Sequence, residues 1–149
     1  YGVGTIATVC GRYYAMDRDK KWDRTKQYYD LVTRGIGISS ADIKKSIQNS
    51  YKRKLTDEFI NPIILNNNGL IKNGDTVIWT NFRADRSRQI LTSLMDQNFA
   101  DFATYKLPDL KVYCFLQLDK HLKTINSHKI LVMKHCFRCG LYKRGLLHG

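Results

Sequence analysis

No run of apolar residues approaches the roughly 18 that a membrane-spanning helix needs, so neither such a helix nor a membrane partner is expected. The first residues, Tyr1-Gly2-Val3-Gly4, have neither an initiator Met nor the charged-then-apolar layout of a signal peptide. The chain therefore reads as a fragment or an excised domain. Cysteine is sparse: four in 149 residues do not make a disulfide framework. Cys10 and Cys114 sit in apolar stretches and are expected as buried free thiols in a reducing, intracellular setting. There is no internal repeat, and no low-complexity block beyond Asn66-Asn67-Asn68. Acidic residues are missing altogether from residues 120–149.

What is present excludes wholesale disorder: 43% of residues are hydrophobic, 11% aromatic and 26% charged. The length suits one domain, for which roughly 100–200 residues is usual. A compact chain of this size buries about 68–70% of its unfolded surface. The formal net charge is +12, which invites a nucleic-acid reading, so its distribution matters. Residues 1–119 hold 18 Lys+Arg against 13 Asp+Glu, whereas residues 120–149 hold seven against none. All four histidines (His121, His128, His135, His148) and two cysteines, Cys136 and Cys139, also fall in that last stretch. A mildly basic body thus ends in a strongly basic tail.

Along the body, strands and helices alternate, which predicts a layered α/β domain. Residues 5–9 read as a buried strand ending in a loop at Cys10-Gly11-Arg12. A helix over 22–32 carries Tyr28, Leu31 and Val32 on one face, with Gly35 as its stop. Ser40 is placed to cap a helix over 41–52 whose core face is Ile43, Ile47 and Tyr51. Thr56-Asp57-Glu58 begins a short turn that Pro62 limits. After the turn signal Asn73-Gly74-Asp75, a strand over 76–82 leads to a helix opened by Arg83, with Ile90, Leu91, Leu94 and Met95 inward. Residues 110–118 form the last strand.

Two stretches put arginines just after a strand: Gly11-Arg12-Tyr13-Tyr14-Ala15-Met16-Asp17-Arg18-Asp19-Lys20 and Asn81-Phe82-Arg83-Ala84-Asp85-Arg86-Ser87-Arg88. Ligands of open α/β sheets bind at this carboxyl end of the strands. Arg83 and Arg86 are three apart and share a face on a helical turn. Helix-start N–H groups add positive potential there, and planar guanidinium groups grip two oxygens of a phosphate or carboxylate at once. The same spacing also fits plain surface ion pairs, as in Asp17-Arg18-Asp19 and Asp85-Arg86. Spacing alone leaves both readings standing.

Resemblance adds to this. The run Ala7-Thr8-Val9-Cys10-Gly11-Arg12-Tyr13-Tyr14-Ala15-Met16-Asp17-Arg18-Asp19-Lys20-Lys21-Trp22 resembles a segment of cofactor-independent phosphoglycerate mutases. So, in the same order, do Thr56-Asp57-Glu58-Phe59-Ile60-Asn61-Pro62, Gly74-Asp75-Thr76-Val77-Ile78 and Asn81-Phe82-Arg83-Ala84-Asp85-Arg86-Ser87-Arg88-Gln89. The similarity runs to about Asp119.

The resemblance implies a cytoplasmic, monomeric isomerase that interconverts 3-phosphoglycerate and 2-phosphoglycerate in glycolysis. Such enzymes pair a phosphatase-like domain, with two manganese ions and a serine nucleophile, with an inserted transferase domain. The serine takes the phosphoryl group, glycerate re-orients, and the group returns to the other hydroxyl. Residues 1–119 resemble the later part of the layered α/β/α transferase domain. By motif match, Arg12, Arg18, Arg83 and Arg86 correspond to arginines that hold the substrate's phosphate and carboxylate. No catalytic serine motif and no Asp/His metal cluster is found in the sequence, so the fragment is expected to be inactive alone and to bind no metal of its own. Cys10 is not read as functional.

Residues 120–149 do not align with the family. His128, His135, Cys136 and Cys139 offer four ligands, and Cys136-x-x-Cys139 has the spacing of half a zinc site. A basic tail also suits RNA or an acidic surface. The favoured reading is a sequence artefact, such as read-through or a shifted frame, because composition breaks where similarity ends. The rival function is a basic nucleic-acid-binding module built on that tail. The body carries no aromatic-basic motif of a known RNA module.

Overall fold

A computed structural model describes residues 3–114. The elements follow in the order β1 (Thr8–Val9), α1 (Arg12–Ala15), α2 (Trp22–Arg34), β2 (Ile38–Ser39), α3 (Ile43–Lys52), β3 (Ile63–Ile64), β4 (Thr76–Trp79), α4 (Ala84–Met95) and β5 (Lys111–Cys114). Short 3₁₀ turns lie at Asp57–Phe59 and Asn67–Gly69. Two strand–helix–strand units organise these pieces. β2 and β3 pair in parallel across α3, and β1 joins β3 antiparallel, with Thr8 opposite Ile64 and Val9 opposite Ile63. β4 and β5 pair in parallel across α4, from Thr76 opposite Lys111 to Trp79 opposite Cys114. Parallel partners need a long crossover, which each helix supplies. The chain is thus of the α/β class, as its alternation of strands and helices implies.

The core lies where α2 and α4 meet the β4–β5 pair. Tyr29, Ile90, Leu91, Leu94, Val112 and Cys114 are buried together, joined by Leu107 and Leu110. Each fully buried large apolar side chain contributes roughly 1.5–3 kcal/mol. Tyr29 is fully buried, and its hydroxyl is satisfied by the Tyr105 N–H, which donates to it at 2.7 Å. α2 ends at Gly35, whose φ of 68° is left-handed, so Asp30 and Leu31 carbonyls take the next two N–H groups.

Several expected details change. Leu31 and Val32 are buried, but Tyr28 is only partly covered, and Tyr29 takes the central place. α2 is covered on more than one side (Thr25 and Asp30 are buried too), so a single apolar stripe does not define its inner face. In α3 no residue is buried, and Tyr51 is half exposed, bonded through its hydroxyl to Asp57. Periodicity identifies an apolar stripe there, but not a partner to cover it. The cap of α3 is Asp42, whose Oδ1 accepts the Lys45 N–H at 3.1 Å, while Ser40 Oγ accepts from the Asp42 N–H one step earlier. β1 is two residues long, and β4 stops at Trp79 because Asn81 Oδ1 accepts the Arg83 N–H and turns the chain. Cys10 is half-buried and Cys114 buried, both as free thiols. Residues 115–118 of the last expected strand, and the tail with His128, His135, Cys136 and Cys139, lie outside the described residues.

The packing difference between α4 and α3 is testable. Leu91→Ala should destabilise the protein by about 2–5 kcal/mol through lost burial and the cavity left behind. Ile47→Ala, on the only partly covered face of α3, should cost clearly less. Urea unfolding of both variants checks this; equal losses would contradict the assignment of the core.

Candidate anion-binding site

The site is assembled from two arginine-bearing segments, each placed by its own local constraint. At the first, Gly11 donates its N–H to Ile60 O at 2.8 Å, and a Cβ at Gly11 would lie 2.2 Å from the Glu58 carbonyl oxygen. Only glycine allows that approach. It lays the start of α1 against the Asp57–Phe59 turn, where Arg12 Nη2 donates to Glu58 Oε2 at 2.6 Å. Tyr14 reinforces the contact by donating its hydroxyl to Asn61 Oδ1.

At the second, Arg83 is the residue before α4, and Ser87 locks the helix start. Ser87 Oγ donates to Arg83 O at 2.9 Å and accepts from Trp79 Nε1 at 2.8 Å, tying the end of β4 to the first turn of α4. Arg86 then reaches back, its Nη1 donating to Met16 O at 3.0 Å.

Between the segments lies a buried acid. Asp17 was open to reading as one half of a surface ion pair, but it is 7% exposed. Its Oδ2 accepts from the backbone N–H of Asp19 (3.1 Å) and Lys21 (2.9 Å) and from Gln89 Nε2 (2.9 Å). Arg24 Nη1 stands 3.6 Å from Oδ1 and lies over the Tyr13 ring at 4.0 Å. Gln89 also accepts the Lys20 N–H at 2.7 Å and donates to Thr25 Oγ1 at 3.1 Å.

These anchors leave a cleft of about 400 Å³ lined by Arg12, Arg24, Arg83 and Arg86. Asp17, Asp19 and Glu58 share its walls. Three of the four arginines singled out from the sequence therefore converge on one cleft despite some 70 intervening residues. Arg18 does not line it. It is joined to Arg83 through Asp85, which Arg18 Nη1 meets at 2.9 Å and Arg83 Nη2 at 3.2 Å. Sequence reasoning missed Arg24: it sits in the first turn of α2 beside Asp23, where no motif marks it.

The ion-pair reading also has its part. Arg12 holds Glu58, and Arg18 and Arg83 hold Asp85, all at exposed positions where water screens such pairs and leaves them weak. The hydrogen bond from Arg18, and then Arg83, holds the Asp85 carboxyl below the ordinary value of 3.8. Burial pushes the Cys10 thiol up to about 12, so the nucleophilic thiolate is not formed near neutral pH. Among the described residues no group of three or more His, Cys, Asp or Glu side chains is placed to hold a metal ion.

Residues 1–120 match the family model described as "BPG-independent PGAM N-terminus (iPGM_N)". The chain belongs to that family. Among relatives named 2,3-bisphosphoglycerate-independent phosphoglycerate mutase, that of Picosynechococcus sp. is 45% identical over 122 residues, covering 82% of this chain and 23% of its own length. The Clostridium beijerinckii relative is 44% identical over 129 residues, covering 84% and 25%. A Leishmania mexicana phosphoglycerate mutase, crystallised at low cobalt concentration, matches with a TM-score of 0.71 and 25% identity. That match covers 78% of this chain and 23% of the solved one. The chain thus spans about a quarter of the length of the family members it matches. None of the described helices is long and apolar enough to cross a membrane.

The Asp85 geometry carries a pH prediction. Its folded-state pKa is lowered, so its pairing is fully present above the ordinary carboxylate value and is lost as pH falls through the lower folded value. Following the Asp85 carboxyl carbon by NMR should give a midpoint below 3.8. A midpoint at or above that value would mean that Arg18 and Arg83 do not hold it.

Proposed function

We propose that this chain is the substrate-holding part of a cofactor-independent phosphoglycerate mutase, and that Arg12, Arg18, Arg83 and Arg86 anchor 2-phosphoglycerate and 3-phosphoglycerate. The observation that carries this is the meeting of Arg12, Arg83 and Arg86 in one cleft, with Arg18 linked to Arg83 through Asp85. A phosphoglycerate presents two anionic groups on a three-carbon frame. One pair of guanidinium groups takes the phosphate and the other the carboxylate, each by parallel hydrogen bonds. Held this way, the glycerate keeps its place while the phosphoryl group is away, and developing charge meets fixed donors.

The finer parts of the proposal follow from the family. Residues 1–119 form the later part of the transferase domain, and residues 120–149 are a tail outside it. The rest of the enzyme, a phosphatase-like domain, supplies the serine nucleophile and two divalent ions, manganese by preference, which act on the phosphoryl group. The parent enzyme works as a cytoplasmic monomer in glycolysis. The nucleic-acid alternative is built on residues 120–149, which lie outside the described residues, and the relatives reported above lend it no support.

Arg83→Lys separates a clamp from plain charge. Lysine keeps the charge but loses the planar fork, and a charge-assisted hydrogen bond is worth about 1.5–3 kcal/mol. Affinity for 3-phosphoglycerate, read by calorimetry, should fall about tenfold or more, with the unfolding midpoint little changed. Arg88→Lys, at an exposed position outside the cleft lining, should change it little. Equal, negligible losses would remove the case for Arg83, and tight RNA binding with a steep salt slope would favour the rival.

Turnover gives a separate check. The purified 149-residue chain with added manganese should not interconvert the phosphoglycerates, because the nucleophile and metal cage belong to the phosphatase-like domain. Activity in preparations free of host mutase would contradict this.

A further inference from the structure

We infer that Gln89 is a positioning residue that sets the distance between the two arginine arms of the cleft, and so its selectivity for a ligand with two anionic groups. The inference rests on the proposed reading of the cleft. One arm, Arg12 and Arg18, stands on the segment that runs from α1 into α2; the other, Arg83 and Arg86, stands at the start of α4. Side-chain links among the described residues join them. Arg18–Asp85 is exposed and uses a group that an incoming anion competes for. Arg86 to Met16 O likewise engages an arginine of the site itself. Gln89 is different.

Its side chain is 7% exposed and does not line the cleft. It lies three residues after Arg86, on the next turn of the same helix, and spends its amide on three partners across the gap. It donates to Asp17 Oδ2 at 2.9 Å and Thr25 Oγ1 at 3.1 Å, and accepts the Lys20 N–H at 2.7 Å. Lys20 has φ of 56°, the left-handed region that a non-glycine residue adopts only when its surroundings hold it there. Gln89 is the partner that holds it, and Asp17, which gathers the N–H groups on either side of Lys20, completes the turn. The link is buried and neutral on the Gln89 side, so it persists when a ligand displaces Asp85 from Arg18 and Arg83. It fixes the spacing of the arms both before and after binding.

The test compares a ligand that spans both arms with one that reaches a single arm. In the full 149-residue chain, calorimetry is run with 3-phosphoglycerate and with inorganic phosphate. The wild type should prefer 3-phosphoglycerate. Gln89→Leu should lower its affinity for 3-phosphoglycerate by about tenfold or more, as for a lost hydrogen bond to a charged group, and leave phosphate affinity close to wild type. Loss of both affinities together, or of neither, would overturn the inference, because a purely structural role does not discriminate by ligand span. A wild type without preference for 3-phosphoglycerate would overturn the reading of the cleft itself, and the inference with it. Should Gln89→Leu fail to fold, Gln89→Glu decides. Only its protonated form donates to Asp17, so its 3-phosphoglycerate affinity relative to wild type should recover on going from about pH 8 to about pH 5.5. A ratio that does not move with pH would overturn the inference.

Discussion

The arrangement of the cleft depends on one buried carboxylate. Burying a charge is strongly unfavourable unless its oxygens are paired and hydrogen-bonded. Asp17 meets that condition by collecting two backbone N–H groups, the Gln89 amide and the nearby Arg24 guanidinium. These partners come from the turn that precedes α2, from α2 itself and from α4. The three pieces therefore cannot shift independently without leaving the charge unsatisfied. Thr25, 2% exposed, closes the network from α2 through the same glutamine.

Around this buried centre the outer charges are arranged in the opposite way. Arg12, Arg18 and Arg83 hold Glu58 and Asp85 at positions open to water, where pairing is weak and exchangeable. The interior link is firm where the surface links are loose. Backbone features support both tiers: the close approach at Gly11 seats α1 on the Asp57–Phe59 turn, and Ser87 fastens the start of α4 to β4.

Much of the scaffold is readable from residue order because its causes are local. The 3.6-residue period over α4 places Ile90, Leu91 and Leu94 inward, and the structure buries all three. Gly35 stops α2 because only glycine takes its left-handed backbone without strain. The positions of Arg12, Arg83 and Arg86 after strands are equally local, and so is their placement beside a helix start. Where the cause is not local, reading fails. α3 has a clean apolar stripe, yet nothing described buries it, and Tyr29 outranks Tyr28 because α2 is enclosed on several sides.

Residue order by itself thus determined the α/β alternation, the helix of α4 with its inner face, and the arginines that stand at the ends of β1 and β4. Those outcomes follow from backbone geometry and side-chain spacing within a dozen residues. Tertiary structure alone decided that Asp17 is buried rather than paired at the surface, that Arg24 joins the cleft, and that Arg18 enters only through Asp85. It also gave Gln89 its three partners. Each of these is set by contacts between segments some 40–70 residues apart, or by burial that such contacts create. Hydrogen-bond satisfaction in a low-dielectric interior is a property of the assembled neighbours, and no local pattern encodes it.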